Sequence, residues 1–208
     1  MPAAMIVGSG PGIGRSVARR FLEEGLDVGL ISRTGSGLGL DGVRTYRADC
    51  GDEGELRAAL DAATGALGTP DVVVYNAAII RPDSIGEADA RAQLDAWAVN
   101  VVGALVTAAH VVPAMARRGS GTFIVTGGMP EPKPAYVSLS LGKAGVRTLV
   151  AMLDEEYGPS GVHAASVTVA GAVAPGTPFD PDDIAQHYWR LHTQPRDAWE
   201  REVLHAGT

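Results

Sequence analysis

Short apolar runs alternate along the chain with segments whose apolar positions recur every three or four residues. The runs at 3–7, 27–32, 43–48, 71–75, 122–126 and 162–169 predict six strands, and 199–204 predicts a further edge strand. The segments at 13–24, 53–67, 89–117, 138–157 and 182–192 predict helices. Val17, Ala18, Phe21 and Leu22 are in phase on the first of these, Leu56, Ala59, Leu60 and Ala63 on the second, and Leu149, Val150 and Leu153 on the fourth. Gly25 stands where a left-handed C-cap is expected, and Pro181 and Asp182 are start signals for the last helix. Pro113 is expected to bend or end the third helix. The stretch 33–43 is short and Gly-rich, so no full helix is expected there. Strands with no polar alternation, such as Val72-Val73-Val74-Tyr75, suit burial on both faces. Such alternation implies right-handed βαβ units: an α/β fold, a doubly wound parallel sheet of six or seven strands with helices on both faces, in one domain over 1–208.

Composition narrows the partners more than the fold. The 208 residues carry a net charge of −7 and no Lys/Arg stripe, which argues against a nucleic-acid surface. Cys50 is the one cysteine, so no internal disulfide can form and a reducing, cytoplasmic setting is expected. Residues 98–116 carry no charge and pass a first membrane test; Asn100, His110 and Pro113 within them favour a buried core helix. The five histidines show no metal-ligand spacing, and no metal is expected.

The first strand runs into Gly8-Ser9-Gly10-Pro11-Gly12-Ile13-Gly14 and then a helix. Glycines let the backbone come close to a diphosphate, and the helix start offers it free N–H groups and a positive dipole end. At the end of strand two stand Ser32, Arg33 and Thr34, with no carboxylate; a guanidinium flanked by two hydroxyls suits a 2′-phosphate, which favours NADP(H) over NAD(H).

With these residues the chain resembles the short-chain dehydrogenase/reductase family over nearly all of its length. Gly8, Gly12 and Gly14 match the family's Gly-x-x-x-Gly-x-Gly turn, and Asn76-Ala77-Ala78 is similar to its Asn-Ala-Gly motif. The resemblance implies a single Rossmann domain. It implies that Gly8, Ser9, Gly10, Gly12, Ile13 and Gly14 hold the diphosphate, and that Asp49, beside the small apolar filler Cys50, contacts the adenine. It also implies cofactor contacts from Asn76, Ala77, Ala78, Lys143, Gly171, Val173 and Thr177, although Ala170 stands where the family has the Pro of a Pro-Gly turn. Asn100 matches a structural or catalytic Asn. Pairing through the two long helices, as a homodimer or homotetramer, is the family's habit.

The family's catalytic signature is Tyr-x-x-x-Lys, preceded by a Ser at the end of strand five. Lys143 matches the Lys, but Leu139 stands in place of the Tyr, and the Ser position falls at Thr126 or Gly127. Three readings stay open. The chain is an NADP(H)-dependent oxidoreductase of a small carbonyl or alcohol whose proton comes from elsewhere, with Tyr136, seven residues before Lys143, or water held by Thr126 and Asn100 as candidates. It transfers hydride in chemistry that needs no strong acid. Or it binds NADP(H) without turnover, as a sensor or scaffold.

Overall fold

The computed structural model describes residues 1–207. Seven strands form one sheet in the order β3-β2-β1-β4-β5-β6-β7, and every pairing is parallel. They are β1 (Ala3–Val7), β2 (Asp27–Ser32), β3 (Arg44–Arg47), β4 (Val72–Tyr75), β5 (Gly121–Gly128), β6 (Val162–Val169) and β7 (Glu202–His205). The predicted edge strand starts late: Trp199 instead stacks on His163 with ring centroids 4.7 Å apart, and pairing begins at Glu202.

Six helices cover the two faces: α1 (Ile13–Glu23), α2 (Glu53–Leu67), α3 (Ala90–Trp97), α4 (Gly103–Arg118), α5 (Val137–Tyr157) and α6 (Pro181–Thr193). Leu56, Val111 and Leu149 of α2, α4 and α5 share one core layer with Val73 and Phe123. Phe21 of α1 and Ile184 and Leu191 of α6 share the other with Ile6 and Val74. Side chains give the helices defined starts. Asp52 accepts the Glu55 N–H at 2.9 Å, and Asp180 accepts the Asp182 N–H at 2.8 Å ahead of Pro181.

The third predicted helix departs from expectation. Pro113 lies inside α4 and does not end it. The break falls earlier, where Ala98–Val102 forms a π-helical turn between α3 and α4. There Gly103 N–H bonds back to the Ala98 carbonyl, which frees the Val99 carbonyl, and the buried Tyr75 hydroxyl donates to it at 2.5 Å. The extra residue of such a turn re-aims its side chains, and here it sends Asn100 inward. By composition 90–118 is long and apolar enough to cross a membrane, but half of its most apolar window is buried inside the fold.

The strand order reverses between β1 and β4, so the chain connections leave a crevice at the carboxyl ends of these two strands, where α/β sheets bind ligands.

Candidate functional site

A cleft of about 760 Å³ opens at that reversal point. Its floor is the β1–α1 turn. Gly8 has φ +82°, and a Cβ there would strike the backbone of Ala77. Only glycine satisfies both demands. At Gly14 a Cβ would come within 2.9 Å of Ser9 Cα, so the helix start sits tight against its own loop. Gly10, by contrast, has nothing within 4 Å of that position and faces open space. Gly12 caps α1 with no side-chain hydrogen bond, and the first turn carries no acidic residue. No side chain competes for the N–H groups there, which leaves a cradle suited to an anion.

Ser9, Gly10, Ile13, Ser32, Arg33, Asp49, Cys50, Asn76, Ala77 and Ala78 all line the same cleft. Arg33 is exposed, and among the described residues it forms no ion pair. Thr34 is not among the lining residues; its hydroxyl lies 3.4 Å from that of Ser32 and accepts the Ser36 N–H. Burial pushes the Cys50 thiol up to about 11, so it stays protonated at neutral pH and acts as filler.

The far wall comes from the loop after β6. Gly171 and Val173 line it, and Val173 Cγ1 lies 4.0 Å from where a Gly12 Cβ would stand. Thr177 does not reach the cleft. Its hydroxyl donates to the Ala174 carbonyl at 2.7 Å and accepts the Phe179 N–H, which holds it inside its own turn.

At the remaining end stand Thr126, Tyr136, Leu139 and Lys143. Lys143 is buried, and its ammonium donates to the Thr126 carbonyl at 2.6 Å. Burial pushes this amine down to about 8, with the nearby Arg147 guanidinium adding to the effect. Leu139, one turn before it, is buried and offers no proton. β5 extends through Gly127 and Gly128, so no hydroxyl stands at its tip.

Of three residues expected to act at this end, two are otherwise engaged and the third is placed differently. The Thr126 hydroxyl donates to Asn76 Oδ1 at 2.8 Å and lies 2.7 Å from the Tyr188 hydroxyl. Asn100 does not line the cleft. Its Oδ1 accepts the Ile79 N–H at 2.7 Å, and its Nδ2 donates to the Ile79 carbonyl. Tyr136 is the N-cap residue of α5, with φ −144° and ψ 59°, so it stands outside the helix proper and the two-turn helical spacing to Lys143 does not hold strictly, though it lines the cleft.

Two contributors carry no sequence signal. Tyr188, from α6, completes a hydrogen-bonded row running through Thr126 and Asn76 to the Gly8 carbonyl, which Asn76 Nδ2 reaches at 2.9 Å. Asp83 caps α5 from the loop after β4: both its carboxylate oxygens accept the Ser138 N–H at 3.2 Å. Each acts across more than fifty residues of sequence, beyond any local pattern.

A family model described as short chain dehydrogenase matches residues 2–180. A putative ketoacyl reductase of granaticin polyketide synthesis from Streptomyces violaceoruber is 30% identical over 188 residues, covering 84% of this chain and 72% of that protein. An uncharacterized oxidoreductase of Staphylococcus aureus is 27% identical over 222 residues, covering 96% and 94%. Among solved structures, a short-chain dehydrogenase from Rhodopseudomonas palustris superposes with a TM-score of 0.86 at 24% identity, covering 98% of this chain and 97% of that one. A metagenomic short-chain oxidoreductase in complex with NADP superposes with a TM-score of 0.85 at 23% identity, covering 98% and 96%.

Proposed function

The chain belongs to the short-chain dehydrogenase family and is an oxidoreductase by kinship, and on that premise we propose that it uses NADP(H) to interconvert a small carbonyl compound and its alcohol. One observation carries the reading: the uncapped start of α1 and the open face at Gly10 adjoin a free guanidinium, Arg33, in one cleft. The glycine turn holds the diphosphate through backbone N–H groups. Arg33 pairs with the 2′-phosphate, and Ser32 lies beside it. Asp49 meets the adenine end, while Gly171 and Val173 offer backbone groups at the nicotinamide end. Lys143 holds the nicotinamide ribose. When bound, the cofactor supplies or takes the hydride. Asn100 keeps Ile79, and with it the β4 loop, in place beside the reacting end.

Titration of the protein with NADPH and with NADH, read by nucleotide fluorescence or calorimetry, tests this. Tighter binding of NADPH is expected; no response to either nucleotide at millimolar concentration would refute it.

Leu139, Gly127 and Gly128 favour a second reading, in which NADP(H) binds without turnover and the protein serves as a sensor or scaffold. NADPH consumption across a carbonyl panel separates the two. The exposed Trp97, Leu105, Leu141 and Met152 on α3, α4 and α5 support a homodimer or homotetramer built on the long helices. Light scattering that gives a clean monomer would reject it. The acidic surface and lone buried cysteine fit a cytoplasmic protein with a small-molecule substrate and neither nucleic acid nor membrane as partner.

A further inference from the structure

We infer that Lys143 itself delivers the proton to the substrate oxygen, in place of the phenol that Leu139 has displaced. The inference rests on the oxidoreductase reading above. Of 17 basic residues only Lys133 and Lys143 are lysines, and both line the cleft. Lys133 is exposed on the rim, whereas Lys143 is buried at the end of the cleft beside Thr126 and Leu139.

Two of the other polar groups at this end are committed elsewhere. The Thr126 hydroxyl is spent on Asn76 and Tyr188, and the Asn100 amide is spent on Ile79. Gly128 lacks a side chain that would screen the amine. The nearest atoms to a Cβ built there are Lys143 Cε at 3.7 Å, the Val169 carbonyl at 3.8 Å and Lys143 Cγ at 3.9 Å, so no side chain from this position covers the lysine stem. Among the described residues no carboxylate pairs with Lys143; its partner is a neutral carbonyl on β5, which does not trap a proton. The charged neighbour that bears on it is Arg147, one turn on along α5, itself bonded to the Gly128 and Met129 carbonyls. The π-turn contributes neutral Asn100 and β6 the neutral Val169 backbone. Together these make the ammonium an acid poised near neutral pH, with the amine at about 8.

The step balances. The substrate carbon takes a hydride from the reduced nicotinamide, and the substrate oxygen takes a proton from Lys143 Nζ. The C=O π bond is replaced by new C–H and O–H bonds. The oxidised cofactor leaves, and the neutral amine regains its proton from water.

Two measurements test this. Protein carrying ε-15N-lysine gives two side-chain signals, one per lysine, with no ligand present. One is expected to titrate near pH 8; if both stay protonated past pH 10, the inference falls. Second, Lys143→Arg keeps the positive charge but gives up its proton far less readily. At saturating NADPH it is expected to lose at least about 100-fold in kcat with 2,3-butanedione, whatever its change in cofactor affinity. The parent's decline in rate above pH 8 should vanish with it. A variant that keeps the parent's rate would overturn the inference, as would a parent that binds NADPH and reduces no carbonyl. In the latter case the binding reading survives. Failure to bind NADPH at all would strike the proposed function instead.

Discussion

Thr126→Val asks whether the buried row from Tyr188 to Gly8 holds the cleft together. Valine keeps the shape of the side chain and deletes the hydroxyl. Two partners lose it at once: Oδ1 of the half-buried Asn76 loses a donor and the buried Tyr188 hydroxyl an acceptor. Tyr188 is wholly inaccessible, so its hydroxyl cannot turn to water. Each stranded polar group costs ~1–3 kcal/mol, so the substitution should cost ~2–5 kcal/mol. For a domain of this size a loss of ~3 kcal/mol lowers Tm by ~6–12 °C. Tyr188→Phe removes one partner and leaves Thr126 still bonded to Asn76, at a cost of only ~0.5–1.5 kcal/mol. The double variant is the informative one. It no longer strands a tyrosine hydroxyl, so it should be more stable than Thr126→Val alone by ~1 kcal/mol or more. Thermal and urea unfolding of the four proteins complete the cycle. If the double variant loses the sum of the two single losses, the hydroxyls are not coupled and the row carries nothing. NADPH affinity, measured alongside, should follow Thr126→Val more than Tyr188→Phe, because Asn76 loses its anchor only in the former.

Arg33→Ala should weaken NADPH binding by ~10–100-fold, since a charge-assisted pair is worth ~1.5–3 kcal/mol, and leave NADH within ~3-fold by fluorescence titration; equal losses for both would remove Arg33 from the 2′-phosphate. Gly8→Ala and Gly10→Ala should part company in a melting experiment. The first forces alanine to φ +82° against the Ala77 backbone, and left-handed geometry alone costs ~1–2 kcal/mol. The second meets nothing within 4 Å and should keep Tm within ~2 °C. Acid should also weaken the fold through histidine. Burial lowers His187 and His192 below their ordinary value of 6.5, so the unfolded chain binds more protons than the folded one below that pH. Their contribution is whole above pH 6.5 and is lost as pH falls through it. The Tm of His192→Gln should therefore fall less between pH 7.5 and 5.5 than that of the parent.

Most of the architecture can be read from local pattern. The apolar runs mark the five inner strands because a strand buried on both faces needs no polar alternation, as Val72–Tyr75 and Val162–Val169 illustrate, whereas the edge strands β3 and β7 are short, polar and mostly exposed. The Gly-rich turn is equally legible, since positive φ and close backbone approach at Gly8 leave glycine no substitute. Ends shifted by one to three residues wherever pairing partners decide them, the most at Glu202.

The chain itself thus determined the order of elements, the place of the cradle, the guanidinium after strand two, and the loss of the phenol at Leu139. Tertiary structure alone decided which polar groups remain free to act. It spent Thr126 and Asn100 on Tyr188, Asn76 and Ile79, turned Thr177 into its own loop, and left Lys143 buried over a carbonyl. It also moved the helix irregularity from Pro113 to the π-turn at Asn100, where the Tyr75 hydroxyl donates to the Val99 carbonyl that the turn leaves free. Local propensity sees a few residues along the chain. A buried hydrogen bond is chosen by whichever partner the packed fold brings within 3 Å, and the partners of Asn100 and Thr126 lie 21 to 62 residues away.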